Sequence, residues 1–269
     1  LIWFVMNIDN ILDDVSYIHN FKECGTYSFI RKALVYKNLY MDNKPYHNKQ
    51  HVEKVVMNLA LLIMIQHKTY EGKGNIHHDK SFLGNLDGNN LKVLALFFAA
   101  YFHDIFFTYG LAAGENEIIS ARIFLSWWKS VGYELVSSEL NEKYNLLEFS
   151  QKPKLVISLD NEQDFTSFVT NAIIATDINS LKNMGYIEFF NLLVDADILY
   201  NFIDDKNLIV QSKLILEELQ MYTNIDRDVN EIDLAKNFLQ KHMPNGFCSY
   251  AGQLFNNRYN IEKEKLFNE

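Results

Sequence analysis

The stretch Val93-Leu94-Ala95-Leu96-Phe97-Phe98-Ala99-Ala100-Tyr101-Phe102, followed at once by His103-Asp104, decides how this chain folds. A membrane-crossing helix needs about 20 apolar residues, so this shorter run reads as a helix buried in a protein core. The polar pair at its end cannot simply point into apolar packing, because a buried carboxylate must be paired or hold a cation. A matching set of donors lies upstream, in Tyr46-His47-Asn48-Lys49-Gln50-His51. Together the two stretches predict a metal site built from helices.

Helical patterning extends outward from this run. Residues 16–41 carry aromatic and aliphatic side chains at helical spacing, and Lys44-Pro45-Tyr46 then interrupts. Proline is favourable just inside a helix start, so a new helix is expected near Pro45. Val52, Val55, Val56, Leu59, Leu62 and Ile63 follow at amphipathic spacing. Residues 67–90 are rich in glycine and asparagine and read as a long loop or lid. The buried helix is expected over 91–106, and another is marked by Glu117, Ile118, Ala121, Phe124, Leu125 and Trp128. One more is expected around Tyr133–Phe149. Phe165, Phe168, Val169, Ala172, Ile173 and Thr176 share one face, and Tyr186, Phe189, Phe190, Leu193 and Asp197 share another. Further helices are expected over 205–222, 228–242 and 248–266, with Asp228 and Glu231 as a capping box and Pro244-Asn245-Gly246 as a turn. No strand alternation, repeat or domain boundary stands out. The expected class is all-α, one domain over 1–269, with the long loop between the first metal-site helices.

Composition bounds the function. The chain has 269 residues, 48% of them apolar, so a sizeable core can form. A net charge of -9 disfavours binding to a nucleic-acid backbone. Cys24 and Cys248 are too few for a disulfide framework and read as ordinary thiols of a reducing cytoplasm. The apolar opening Leu1–Met6 has neither a basic lead nor a full signal-peptide core, and no membrane association is expected.

The chemistry-bearing residues are then few. His47 and His51 are four apart, which on a helix places them on one side. Asp197 falls amid the apolar face of its helix, which makes it the better inward ligand, and Asp195 falls on the opposite side; the plainer reading has Asp197 capping a following helix and Asp195 merely solvated. Two imidazoles and two carboxylates suit a hydrolytic divalent site, with zinc, manganese or iron favoured over a thiol-selective metal. Magnesium suits a second, mostly water-coordinated position sharing Asp104. Lys44, Lys49 and Arg122 lie near the motifs, but solvated surface charge is the simpler reading of each. His77-His78 reads as two chance histidines in a polar loop. Tyr46, Tyr101, Phe106 and Phe107 are candidates for a base-stacking pocket, though core packing is the commoner role of such residues.

These motifs resemble the HD superfamily of metal-dependent phosphohydrolases. There a His, a His-Asp pair and a distant Asp come from separate helices, as His51, His103-Asp104 and Asp197 do here. The Tyr46-to-His51 element is also similar to the opening motif of cyclic-nucleotide phosphodiesterases. A bacterial group of predicted HD phosphohydrolases is more similar still. Its later elements correspond to Asn116-Glu117-Ile118-Ile119-Ser120-Ala121 and Asp195-Ala196-Asp197-Ile198, and the likeness spans roughly residues 28–220. The chain departs from that group at Lys44, where arginine is common, and at Asn179, where histidine is.

The resemblance implies that His51, His103, Asp104 and Asp197 hold a metal ion that acidifies water and polarises a phosphoryl oxygen. It casts His47 as the proton donor to the leaving oxygen, Asp104 as both ligand and catalytic residue, and Glu117 as a contact to metal-bound water or a second ion. The expected substrate is a nucleotide or another small phosphate ester, and a homo-oligomer is compatible with this reading. Two alternatives stand beside it: an HD-type nucleotide sensor with little turnover, and an HD-type di-iron oxygenase.

Overall fold

A computed structural model describes residues 44–72, 86–134, 159–177, 187–202, 208–223 and 228–268. Among the described residues the fold is an all-α bundle without strands. The helices are α1 (Lys49–Gly72), α2 (Leu86–Phe102), α3 (Glu115–Trp127), α4 (Leu159–Ile174), α5 (Ile187–Leu199), α6 (Leu208–Tyr222), α7 (Glu231–His242), α8 (Tyr250–Gln253) and α9 (Asn256–Asn268). A π-helical turn, Trp128–Gly132, prolongs α3. The expected helix over 16–41, most of the one at Tyr133–Phe149, and Cys24, His77, His78, Asn179 and Tyr186 lie outside the described residues.

The core forms around α2. Every residue from Val93 to Phe102 is at most 3% exposed, so this helix is apolar on all sides because it is covered on all sides. It packs on α1, α3, α4 and α5. Phe98 meets Phe124, Trp127, Trp128 and Phe165 with ring centroids 5.9–6.2 Å apart, mostly tilted or edge-to-face. The central helix ends four residues earlier than its sequence suggests. The last helical bond is His103 N to Ala99 O, at 2.8 Å, and Ile105 N then turns back to Phe102 O. His103 and Asp104 therefore sit in the turn beyond the helix.

Several boundaries differ from expectation for local reasons. α1 continues to Gly72 and α2 begins at Leu86, so the expected loop narrows to 73–85. The polar residues from His67 to Glu71 carry no helix breaker. Asp87, Gly88 and Asn89 fall in the first turn of α2, where backbone N–H groups lack helical partners anyway. α7 is capped by Asn230, whose side chain accepts from Asp233 N at 2.9 Å, and not by Asp228 with Glu231. Asn230 is the residue with extended φ/ψ, so its side chain reaches back to the helix start. The turn at Pro244-Asn245-Gly246 forms as expected, with Gly246 at φ +79°.

α5 lies against α1 on one side and α8 on another. Asn58 on α1 donates to Ala196 O at 3.0 Å, which fixes the register between the two metal-site helices. Leu192, Val194, Ala196 and Ile198 are buried along with Phe190 and Leu193, so α5 has no wet face.

Candidate metal centre

The site starts with Asn48. Its Oδ1 accepts from His51 N at 3.1 Å, and its Nδ2 donates to Lys44 O and Pro45 O at 2.9 and 3.1 Å. Asn48 therefore caps α1 and ties down the turn before it. The helix begins at Lys49 rather than near Pro45, which puts His51 in its first turn and leaves His47 outside it. The two imidazoles still approach, with centroids 6.1 Å apart, but because of the turn and not because of helical spacing.

His103 is oriented by its own helix end, Nδ1 lying 2.9 Å from Ala100 O. That carbonyl accepts, so Nδ1 carries the hydrogen and Nε2 faces the centre. There Nε2 is buried, makes no hydrogen bond, and lies 3.3 Å from Asp104 Oδ2 and 3.8 Å from Asp197 Oδ1. His51 Nε2 is 3.1 Å from both of these carboxylate oxygens. Three of the four expected ligands, His51, His103 and Asp197, thus draw together from α1, the turn after α2, and α5, and Asp104 lies against both imidazoles. One nitrogen or oxygen from each of His51, His103 and Asp197 lies within 4.8 Å of the others, a group that could hold a metal ion.

Electrostatics point the same way. Burial alone would push both imidazoles down, yet the Asp104 and Asp197 carboxylates outweigh it and hold His51 above, and His103 well above, the ordinary histidine range. Burial would push the two carboxyls up, but the imidazoles hold both well below theirs. Paired nitrogen and oxygen donors around two buried imidazoles, each with one nitrogen lacking a hydrogen-bond partner, fit a divalent cation.

The turn carrying Asp104 is clamped. Ser120 Oγ donates to Phe106 O and accepts from Phe106 N, both at 3.2 Å, and Asn116 bonds Thr108 N and O, both at 3.0 Å. The Asn116-to-Ala121 element thereby fixes the loop behind the ligands. Glu117, between the clamps, is half-buried. Burial pushes its carboxyl up against a backbone hydrogen bond that pulls it down, with Asp104 and Asp177 adding to the rise and His103 opposing it. It stands in the first turn of α3 and is not fully solvated.

His47 is held by a residue the sequence reading passed over. Glu218 on α6 is fully buried and accepts from His47 N at 2.9 Å, from Tyr46 N at 2.8 Å and from His47 Nδ1 at 2.8 Å. Tyr109 OH donates to it at 3.4 Å. Burial would raise the Glu218 carboxyl, but His47 and the amides hold it below the usual range. The His47 ring stacks on Phe107, centroids 3.5 Å apart and planes 13° apart. Glu218 was legible in principle, since it stands seven residues after Gln211 on the buried face of α6.

Other expectations need correction. Lys44 is not solvated: it is 7% exposed, and its Nζ donates to Phe107 O. Lys49 is half-buried and Arg122 is exposed. Of the aromatic candidates, Tyr46 and Tyr101 are core residues, Phe106 packs against the core, and Phe107 stacks on His47. Asp195 is the largest departure. It points away from the centre as expected, but into a second buried contact rather than into water. Its carboxylate accepts from Cys248 N at 2.9 Å, Ser249 N at 2.6 Å and Ser249 Oγ at 2.5 Å. Burial pushes this carboxyl up to about 6, against those three donors. The reason is α5 itself, whose far face is covered by the segment around α8.

The chain matches no protein-family model and no curated protein sequence. Among the described residues no helix is long and apolar enough to cross a membrane.

Proposed function

We propose that this chain is a metal-dependent phosphohydrolase acting on a nucleotide or another small phosphate ester. The observation that carries the reading is the grouping of His51, His103 and Asp197, with Asp104 against both imidazoles, beside a restrained histidine. Manganese, iron or zinc suits these ligands, and magnesium suits a second, mostly water-coordinated position sharing Asp104. When bound, the ion supplies an acidified water and polarises a phosphoryl oxygen.

The protein's own residues do the rest. Glu218 takes the hydrogen bond from Nδ1 of His47, which leaves Nε2 as the nitrogen that can hand a proton to the leaving oxygen. The Phe107 ring blocks rotation of the imidazole. Asn116 and Ser120 hold the Asp104 turn so that the carboxylate keeps its place.

The test is phosphate release from a panel of nucleotides and simple phosphoesters by protein loaded with manganese, iron or zinc. The expected result is release that chelation abolishes and that His47→Ala reduces more than it reduces metal content. Full metal occupancy with no release from any ester would overturn the reading and favour a nucleotide sensor.

A further inference from the structure

His51 and His103 are held in different ways. His103 Nδ1 is tied to Ala100 O at 2.9 Å, which fixes its ring and leaves Nε2 to the centre. His51 Nδ1 is buried too, but it has no hydrogen-bond partner. A metal-ligating histidine is ordinarily oriented by a hydrogen bond at its other ring nitrogen, so His51 needs a different restraint. Aromatic rings surround it instead. Its centroid lies 4.9 Å from that of Tyr46, with planes 35° apart, and 5.1 Å from that of Tyr200, with planes 79° apart. Tyr46 and Tyr200 also meet each other edge-to-face at 5.8 Å, so the three rings pack as a triangle.

Each tyrosine has its own anchor. Tyr46 donates its N–H to Glu218 Oε2 at 2.8 Å and its hydroxyl to Asn201 Oδ1 at 3.3 Å, and Asn201 in turn donates to Ile198 O at 3.1 Å. Tyr200 lies buried in the turn that leaves α5, its N–H reaching Asp197 O at 3.3 Å. That turn therefore follows directly from one candidate ligand, Asp197, and carries a ring that packs on another, His51. Tilted and edge-to-face ring pairs are favoured geometries, so such packing is directional. From this juxtaposition, and resting on the metal centre of the reading above, we infer that Tyr200 is a positioning residue. Its ring, together with that of Tyr46, keeps His51 Nε2 toward the Asp104 and Asp197 carboxylates in place of a hydrogen bond at Nδ1.

Three variants separate positioning from simple loss of packing: Tyr200→Leu, Tyr200→Phe and Phe202→Leu. Phe202 is buried in the same turn but packs on Phe247 and Tyr259, so Phe202→Leu disturbs that turn through other partners. Zinc affinity is read by competition with a metal-indicator dye, imidazole geometry by long-range proton–nitrogen NMR and ring-to-ring NOEs, and folding by melting temperature. Tyr200→Leu should bind zinc roughly ten- to a hundredfold more weakly and lose the NOEs between His51 and Tyr46. Tyr200→Phe should keep both, and Phe202→Leu should melt earlier yet keep both. Parental zinc affinity in Tyr200→Leu, or an equal loss in Phe202→Leu or Tyr200→Phe, overturns the assignment. The parent spectrum decides even if Tyr200→Leu does not fold: the His51 Nδ1 proton should lie upfield of the hydrogen-bonded His103 Nδ1 proton, and an equally downfield position overturns the assignment. Should the parent take up no zinc, the metal reading falls, and the NOEs of the metal-free proteins judge Tyr200 alone. Loss in Tyr200→Leu with retention in Tyr200→Phe then supports its role, and retention in both overturns it.

Discussion

Replacing Glu218 by glutamine should cripple the proton donor without touching the metal. The change keeps the shape of the side chain and one acceptor oxygen. It replaces the other oxygen with an amide that cannot accept from His47 Nδ1. In the parent that contact is 2.8 Å and fully buried on the glutamate side, and the same carboxylate holds the His47 and Tyr46 amides. A hydrogen bond to a charged group contributes about 1.5–3 kcal/mol. If the whole of it serves to keep Nε2 available, kcat falls by roughly ten- to a hundredfold. KM and bound metal stay near parent values, because Glu218 is bonded to none of the four ligands. Steady-state hydrolysis of the best substrate from the ester panel reads the first quantity, and elemental analysis reads the last. On a His47→Ala background, Glu218→Gln should add little further loss, as expected for two groups acting as one unit. Nitrogen NMR of the imidazole gives a readout independent of turnover: the parent should show His47 protonated at Nδ1, and the variant should lose that preference. A kcat within about twofold of parent, or a parent His47 with its hydrogen on Nε2 alone, would refute this role for Glu218.

Three further outcomes are expected. Asn48→Ala removes the cap of α1, costing about 1 kcal/mol of stability, and it should also weaken metal binding because the cap positions His51; titration with a metal-indicator dye checks the second effect. Asp195→Ala strands the Cys248 and Ser249 amides at about 1–3 kcal/mol each, so the melting temperature should fall while folded protein still binds metal. Gly252→Ala should mimic it, its added Cβ lying 2.2 Å from Asp195 Oδ2, whereas Asp197→Ala should abolish metal retention with the smaller effect on the metal-free melt. Metal uptake should release protons at pH 7. His51 and His103 are held above the usual histidine range, so a cation must displace protons that these groups still carry, and release should diminish as pH rises; calorimetry in two buffers of different ionisation enthalpy measures this, and no release at pH 7 would contradict it.

The all-α class and the approach of His51, His103 and Asp197 were readable because each rests on a strong local signal. An uninterrupted apolar run ending in His103-Asp104 has few other interpretations, and Asp197 follows from the apolar face of α5. What escaped was set by tertiary contact. Asp195 looked solvated because a helix is ordinarily assumed to keep one wet face, and α5 keeps none. Lys44 looked like surface charge because nothing in its neighbourhood of sequence announces that Phe107 and Tyr222 will cover it. Asn48 and Asn116 stood out only as letters of a motif, and their work as cap and clamp depends on backbone atoms that a sequence does not display. Glu218 lies far along the chain from His47, and only the packing brings them together.

The central claim is that His51, His103, Asp104 and Asp197 hold a metal ion. Elemental analysis of the purified protein beside an Asp104→Ala variant tests it most directly. The account predicts near-stoichiometric transition metal in the parent and its loss in a variant that remains folded. No metal in either protein, even after reloading with manganese, iron and zinc, would contradict it.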